Sequence, residues 1–212
     1  GVVYDNGMEL EQSYDGTHFP AYLYEPSVLM VALTSRLEPE DIRDITWLYL
    51  PAPKSQLQRS LARSGITRSE DMLFRIEQSM LPEEVEAALD FQWESIYSLN
   101  ELAQAVMALS SDEQKKLAAA VVSAGPETAA EIRRLAENLD QFDFAPGVHT
   151  PEEYGKYMIQ ESGHFDYDPN LDEFYDYERY GQQHIAQQSG MFTSHGYISY
   201  HSTMSLEEFM ME

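Results

Sequence analysis

The stretch from Phe165 to Gly181, FDYDPNLDEFYDYERYG, poses the hardest folding problem in this chain. Six carboxylates (Asp166, Asp168, Asp172, Glu173, Asp176 and Glu178) are threaded among six rings (Phe165, Tyr167, Phe174, Tyr175, Tyr177 and Tyr180), with Arg179 the single cation. The rings favour burial and the acids favour water. A disordered acidic tail lacks such rings, and an ordinary solvated face mixes Lys and Arg among its acids. The segment therefore predicts an ordered scaffold that buries aromatic surface while displaying like charges. On a helix, Leu171, Phe174, Tyr177 and Ile185 would form the core stripe and leave Asp172, Glu173, Asp176 and Glu178 outward.

The same excess runs through the whole sequence. Thirty-seven acids face thirteen bases, a net charge of −24 over 212 residues. A net charge of about 2 to 8 is enough to keep a small domain soluble, and more destabilises the compact state by self-repulsion. A functional reason is expected. Phosphate recognition needs a basic face, so direct binding to nucleic acid or an anionic membrane is excluded as the main role, and a basic partner is favoured. The charge is uneven along the chain. From Glu137 to Glu212 fifteen acids meet only Lys156 and Arg179, whereas seven bases lie between Arg36 and Arg75. A hydrophobic fraction of 43% and an aromatic fraction of 12% allow a real core. The absence of cysteine removes disulfides and thiolate chemistry, and it fits a reducing cytoplasm. No apolar run approaches a membrane span.

Local signals predict an α+β chain. Residues 1–27, rich in Tyr and broken by Gly and Pro, read as an irregular or hairpin-like start. VLMVALTS (28–35) and ITWLYLP (45–51) read as strands, and a helix follows in which Pro53 suits the first turn and Gly65 the C′ position. LPEEVEAALD (81–90) reads as a helix with acids in its first turn. Ser98 with Glu101, and Ser110 with Glu113, have capping-box spacing and predict two further helices, and another follows Gly125-Pro126 to about Leu139. Short connections among these helices predict a small bundle. QFDFAPGVH (141–149) reads as a linker or edge segment. Thr150-Pro-Glu-Glu153 opens a helix to about Ser162, stopped at Gly163. Asn170 to Asp172 would cap a helix reaching Gln188. Residues 191–201 read as a strand or hairpin, and Ser205 caps a last helix. The expected architecture is elongated: a small α/β N-terminal domain over 1–76, a helical middle over 77–140 and an acidic α+β C-terminal domain over 141–212.

Catalytic and metal motifs are weak. Asp166-x-Asp168-x-Asn170-x-Asp172 has the early spacing of a calcium loop, but Leu171 stands where glycine is needed and Tyr177 where a bidentate Glu is needed. The six His form no close helical pair and no H-E-x-x-H. There is no G-x-S-x-G, no G-x-x-x-x-G-K-[ST] and no G-x-G-x-x-G. No carboxylate pair stands out as acid and base in so acidic a chain. A binding protein without catalysis, cofactor or metal is expected.

FYDYERYGQQ (174–183) followed by GYISY (196–200) resembles the C-terminal domain of ArdA-type antirestriction proteins, and SLNELAQAVMALSSDEQKKLAAAV (98–121) is similar to that family's helical middle. The resemblance covers about the last 120 residues. Residues 1–50 depart from the family's opening pattern and offer only Trp47, and Gln182 stands where the family has Arg after Tyr-Gly. The resemblance implies a mobile-element antirestriction protein that mimics B-form DNA, occupies the DNA groove of type I restriction–modification enzymes and forms an end-to-end dimer. Duplex DNA carries about one charge per 1.7 Å, so twenty-four net charges correspond to roughly 40 Å of duplex. The acids expected to form the mimicking surface are Asp140, Asp143, Glu152, Glu153, Glu161, Asp166, Asp168, Asp172, Glu173, Asp176 and Glu178. The other reading is an acidic adaptor module for some other basic protein of a host or mobile element.

Overall fold

A computed structural model describes residues 3–5, 27–39 and 44–211. Of the predicted irregular or hairpin-like opening over 1–27, only 3–5 and 27 are described, and the rest lies outside the described residues. The fold is α+β, and the chain divides into two compact units, Gly1–Leu109 with Glu127–Arg133 and Ser110–Pro126 with Arg134–Glu212.

The first unit is built on a four-stranded antiparallel sheet: β1 (Val3–Asp5), β2 (Leu29–Ser35), β3 (Thr46–Leu50) and β4 (Met72–Ser79), in the order β1-β4-β2-β3. β2 is central, which explains its nearly unbroken apolar sequence: Leu29, Val31, Ala32 and Leu33 are all buried. β4 has no counterpart among the predicted elements. Its alternation of Met72 and Phe74 with Leu73 and Arg75 carries the period-2 signal, and both Met72 and Phe74 are fully buried.

Helix α1 (Lys54–Arg63) packs on β3 through Leu57 and Leu61. It ends in a full Schellman arrangement in which Gly65 has φ +71°, its N–H reaches the Ala62 carbonyl and the Ile66 N–H reaches Leu61. Pro53 sits at the N-cap, one position before the expected first turn. Helix α2 spans Glu83–Ala88 and α3 spans Ile96–Met107. The cap of α3 is Ser95, not Ser98. Ser98 is the N3 residue of a reciprocal Ser95–Ser98 box, so a hydroxyl does the work usually given to Glu. Asn100 on α3 clamps Ala52 by both backbone groups, at 2.8 Å to its N–H and 2.9 Å to its carbonyl.

The second unit contains α4 (Ser111–Ala124), capped by the expected Ser110–Glu113 box and closed by Gly125 at φ +66°. α5 spans Ala129–Glu137. A three-stranded antiparallel sheet follows, β5 (Phe142–Pro146), β6 (Gly190–Thr193) and β7 (Gly196–Tyr200), in the order β5-β7-β6. β5 is thus an edge, one of the two readings its sequence allows. The sheet is covered on both faces. α4 packs across it with Leu117, Ala118, Ala119, Ala120 and Val121 buried. On the other face Ala145, Val148, Tyr154 and Tyr197 make a core joined by Tyr157, Met158, Ile185 and Phe192. Helix α6 (Pro151–Lys156) begins at the expected Thr150 cap, widens into a π-helical turn over Tyr157–Glu161 and stops before Gly163, whose φ is +76°.

The predicted single helix from Asn170 to Gln188 is two pieces. A 3-10 turn over Pro169–Phe174 is capped by Asp168, the chain breaks at Tyr175, and Asp176 caps α7 (Tyr177–Ala186). The predicted core stripe is corrected accordingly. Tyr177 is buried and Ile185 half-buried, but Leu171 is 47% and Phe174 75% exposed. A 3-10 turn has three residues per turn, so a stripe drawn at 3.6 loses its face there. α8 (Leu206–Met211) closes the unit, capped by Ser205 and fixed by the Arg134 guanidinium lying 5.4 Å from the Phe209 ring and donating to its carbonyl.

Candidate functional site

The acidic layer of the second unit is held by two glycines. α6 and α7 touch backbone to backbone. A Cβ added at Gly155 would lie 1.9 Å from the Tyr177 carbonyl oxygen, and one at Gly181 would lie 1.8 Å from that of Pro151. No residue with a side chain fits at either position without moving a helix. This crossing fixes Tyr177 under the Lys156 ammonium, 5.7 Å from the ring centroid, and brings the preceding acidic turn against Gln160.

Asp172 is the centre of that turn. Its Oδ1 accepts the Tyr167 hydroxyl at 2.8 Å, the Tyr177 hydroxyl at shorter range and the Gln160 amide at 3.2 Å. The Gln160 amide also donates to the Tyr177 oxygen at 2.8 Å. Hydrogen bonds to the ionised form, Tyr177 first and Tyr167 second, hold the Asp172 carboxyl below its ordinary range. The same bond to Asp172 pushes the Tyr167 phenol up. The rings stack mostly on each other. Tyr175 lies 5.8 Å from both Tyr167 and Tyr177, Phe165 meets Tyr180 edge-on at 5.3 Å, and Tyr180 lies 4.4 Å from His184. Rings and acids coexist here because the hydroxyl ends of the rings hydrogen-bond a carboxylate while their faces cover one another.

All eleven predicted acids are exposed, and all lie in the second unit. Seven of them make bonds within the protein. Asp168 and Asp176 cap the two helical pieces, and Glu153 accepts the His149 N–H at 2.7 Å. Asp140 meets Gln141 at 3.3 Å, Glu178 meets Gln182 at 3.3 Å, and Asp143 lies 3.8 Å from His201. Asp172 is the seventh. Glu152, Glu161, Asp166 and Glu173 make no hydrogen bond or ion pair among the described residues. The layer therefore contains carboxylates that build the turn and carboxylates that only display charge. Gly155 and Gly181 are the site-building residues that sequence reasoning missed. Their signal is the repeated Tyr-Gly in EYGKY and RYGQQ, visible only once two helices are known to cross there.

The arrangement defines an acidic α+β surface protein, in which fixed anions face outward over a small aromatic core. Among the described residues no group of three or more His, Asp or Glu could hold a metal ion, and no helix is long and apolar enough to cross a membrane. The family model for antirestriction protein (ArdA) matches residues 45–199, well over half of the chain. The chain belongs to the ArdA antirestriction family, and the family's name implies inhibition of restriction rather than catalysis. The match starts at the approach to β3, far upstream of the C-terminal segment that carried the resemblance. No curated protein matches the chain.

Proposed function

We propose that this protein mimics duplex DNA and competitively occupies the DNA-binding groove of a type I restriction–modification enzyme. The supporting observation is the acidic layer of the second unit, with eleven exposed carboxylates, nine of them on a frame of glycine-docked helices and tyrosine clamps. A groove evolved for phosphates gains affinity from many cation contacts, and carboxylates fixed at a surface can use the same cations. The eleven acids named from sequence form the mimicking surface, and no single one is essential because charge is shared. An end-to-end homodimer would double the displayed length.

The direct test is capture of the methyltransferase core of a type I enzyme with and without competing duplex DNA. Binding that duplex DNA displaces supports the reading. Binding that is indifferent to DNA would assign the surface to another basic partner.

A further inference from the structure

On the sheet face opposite α4, a cleft of about 160 Å³ opens between β5, β7 and the α6 segment. Antiparallel register sets Asp143 of β5 directly across from Ser199 of β7, and both line the cleft. Tyr154 and Tyr157 line it from the helix side. Sites that take whole small molecules occupy roughly 300–1,000 Å³, so this one is sized for a single side chain.

Four of its five hydroxyls have already placed their protons. Tyr154 and Tyr197 donate to the Gln188 side-chain oxygen at 3.2 and 3.3 Å. Tyr157 donates to the Phe144 carbonyl at 3.5 Å, and Ser162 donates to the Met158 carbonyl. Burial raises all three phenols, Tyr197 to about 12, so they keep those protons at neutral pH. A hydroxyl committed as a donor has only lone pairs left to offer. Besides those oxygens, the ring faces and the Asp143 carboxylate, the lining holds the Ser199 hydroxyl, the Gln188 amide and the His164 imidazole. The negative field of Glu161 also reaches Tyr157. The Lys116 ammonium on α4 and the His201 imidazole lie near Asp143 without lining the cleft, and the His164 imidazole lines it.

We propose that this cleft is an arginine-accepting pocket, which takes one guanidinium side chain from the basic protein that the acidic surface engages. The identity of that partner rests on the reading given above; the pocket chemistry does not. A guanidinium carries five N–H donors in a planar fork and no acceptor, which suits a slot with a carboxylate and several committed hydroxyl oxygens, and its plane stacks on tyrosine faces. An ammonium has three donors on a compact, strongly hydrated head and matches less well. Anions are repelled. Buried arginine anchors are frequent among the few residues that dominate an interface.

The test is an NMR titration of the whole protein with Nα-acetyl-arginine methylamide, with the corresponding lysine compound as control. Expected are saturable shifts confined to the amides around 143–145, 157–164, 188 and 197–199. The arginine compound should bind roughly tenfold more tightly than the lysine compound. Asp143→Asn should weaken it about tenfold, and Met158→Trp, which fills the cleft, should abolish it. Asp143 is exposed, so its variant keeps the fold even where Met158→Trp does not. Asp166→Asn with Glu173→Gln, outside the cleft, should change nothing. Shifts scattered over the acidic face, or equal for both compounds, would overturn the pocket. The titration contains no restriction enzyme. Confined arginine binding in a protein that never displaces DNA sinks the mimicry and leaves the pocket, and DNA displacement without a confined response sinks the pocket alone.

Discussion

Glu94 is the one buried carboxylate among the described residues, and it works inward. It accepts the Ala129 N–H at 2.8 Å, at the first turn of α5, and the Ser98 hydroxyl at 2.9 Å, in the first turn of α3. An anion placed at helix N-termini is stabilising, and removing it strands buried donors. Glu94→Ala should therefore cost about 3 kcal/mol in chemical denaturation, and Glu94→Gln, which keeps an acceptor, less than half of that. Asp172 predicts a pH effect of definite sign. Its folded-state pKa is depressed, so its contribution to stability is complete above the unfolded value near about 3.9 and is lost as pH falls through the lowered folded value. Melting curves from neutral to strongly acid pH should show a shallower acid limb for Asp172→Asn than for the parent protein. Identical limbs would remove the tyrosine clamp from the account.

At the scale of elements, the crossing of α6 and α7 sets the acidic layer, and it depends on glycine. Gly155→Ala or Gly181→Ala drives a methyl group into a carbonyl, not into a flexible side chain. Each should destabilise the second unit by about 3 kcal/mol and loosen the Tyr177 contacts, read by denaturation and by the tyrosine near-UV signal. A Gly181→Ala protein as stable as the parent would contradict the close crossing. Sequence reasoning handled the local elements well because their signals are local. The Ser110–Glu113 box, the Thr150 cap and Gly65 each need only residues within one turn. It misplaced the start of α3 because Ser95 and Ser98 are both followed three residues later by a capping partner, and only packing decides between them. It overlooked β4, whose charged Arg75 and Glu77 break the apolar run although the alternation is present. The 170–188 segment reads as one helix unless Asp168 and Asp176 are recognised as two competing caps.

At the scale of the whole molecule, the charge is shared more evenly than the sequence order implies. The first unit carries twenty acids and eight bases, the second seventeen and five, so each has a net charge of −12. The candidate acids all belong to the second unit because the rings that hold them lie there, and the sequence marks that unit by its ring-acid run rather than by its total. Neutralising the four carboxylates that make no bond among the described residues, Glu152→Gln, Glu161→Gln, Asp166→Asn and Glu173→Gln together, should weaken competition with DNA roughly tenfold to hundredfold. Melting temperature should hold or rise as repulsion is relieved. Any one of these changes alone should have little effect. The layer's purpose is tested most directly by the inhibition constant against duplex DNA on a type I methyltransferase core, followed between roughly 50 and 200 mM salt. Competitive inhibition that weakens at least about a hundredfold over that range is the predicted result. Inhibition that is non-competitive with DNA, or flat with salt, would contradict it.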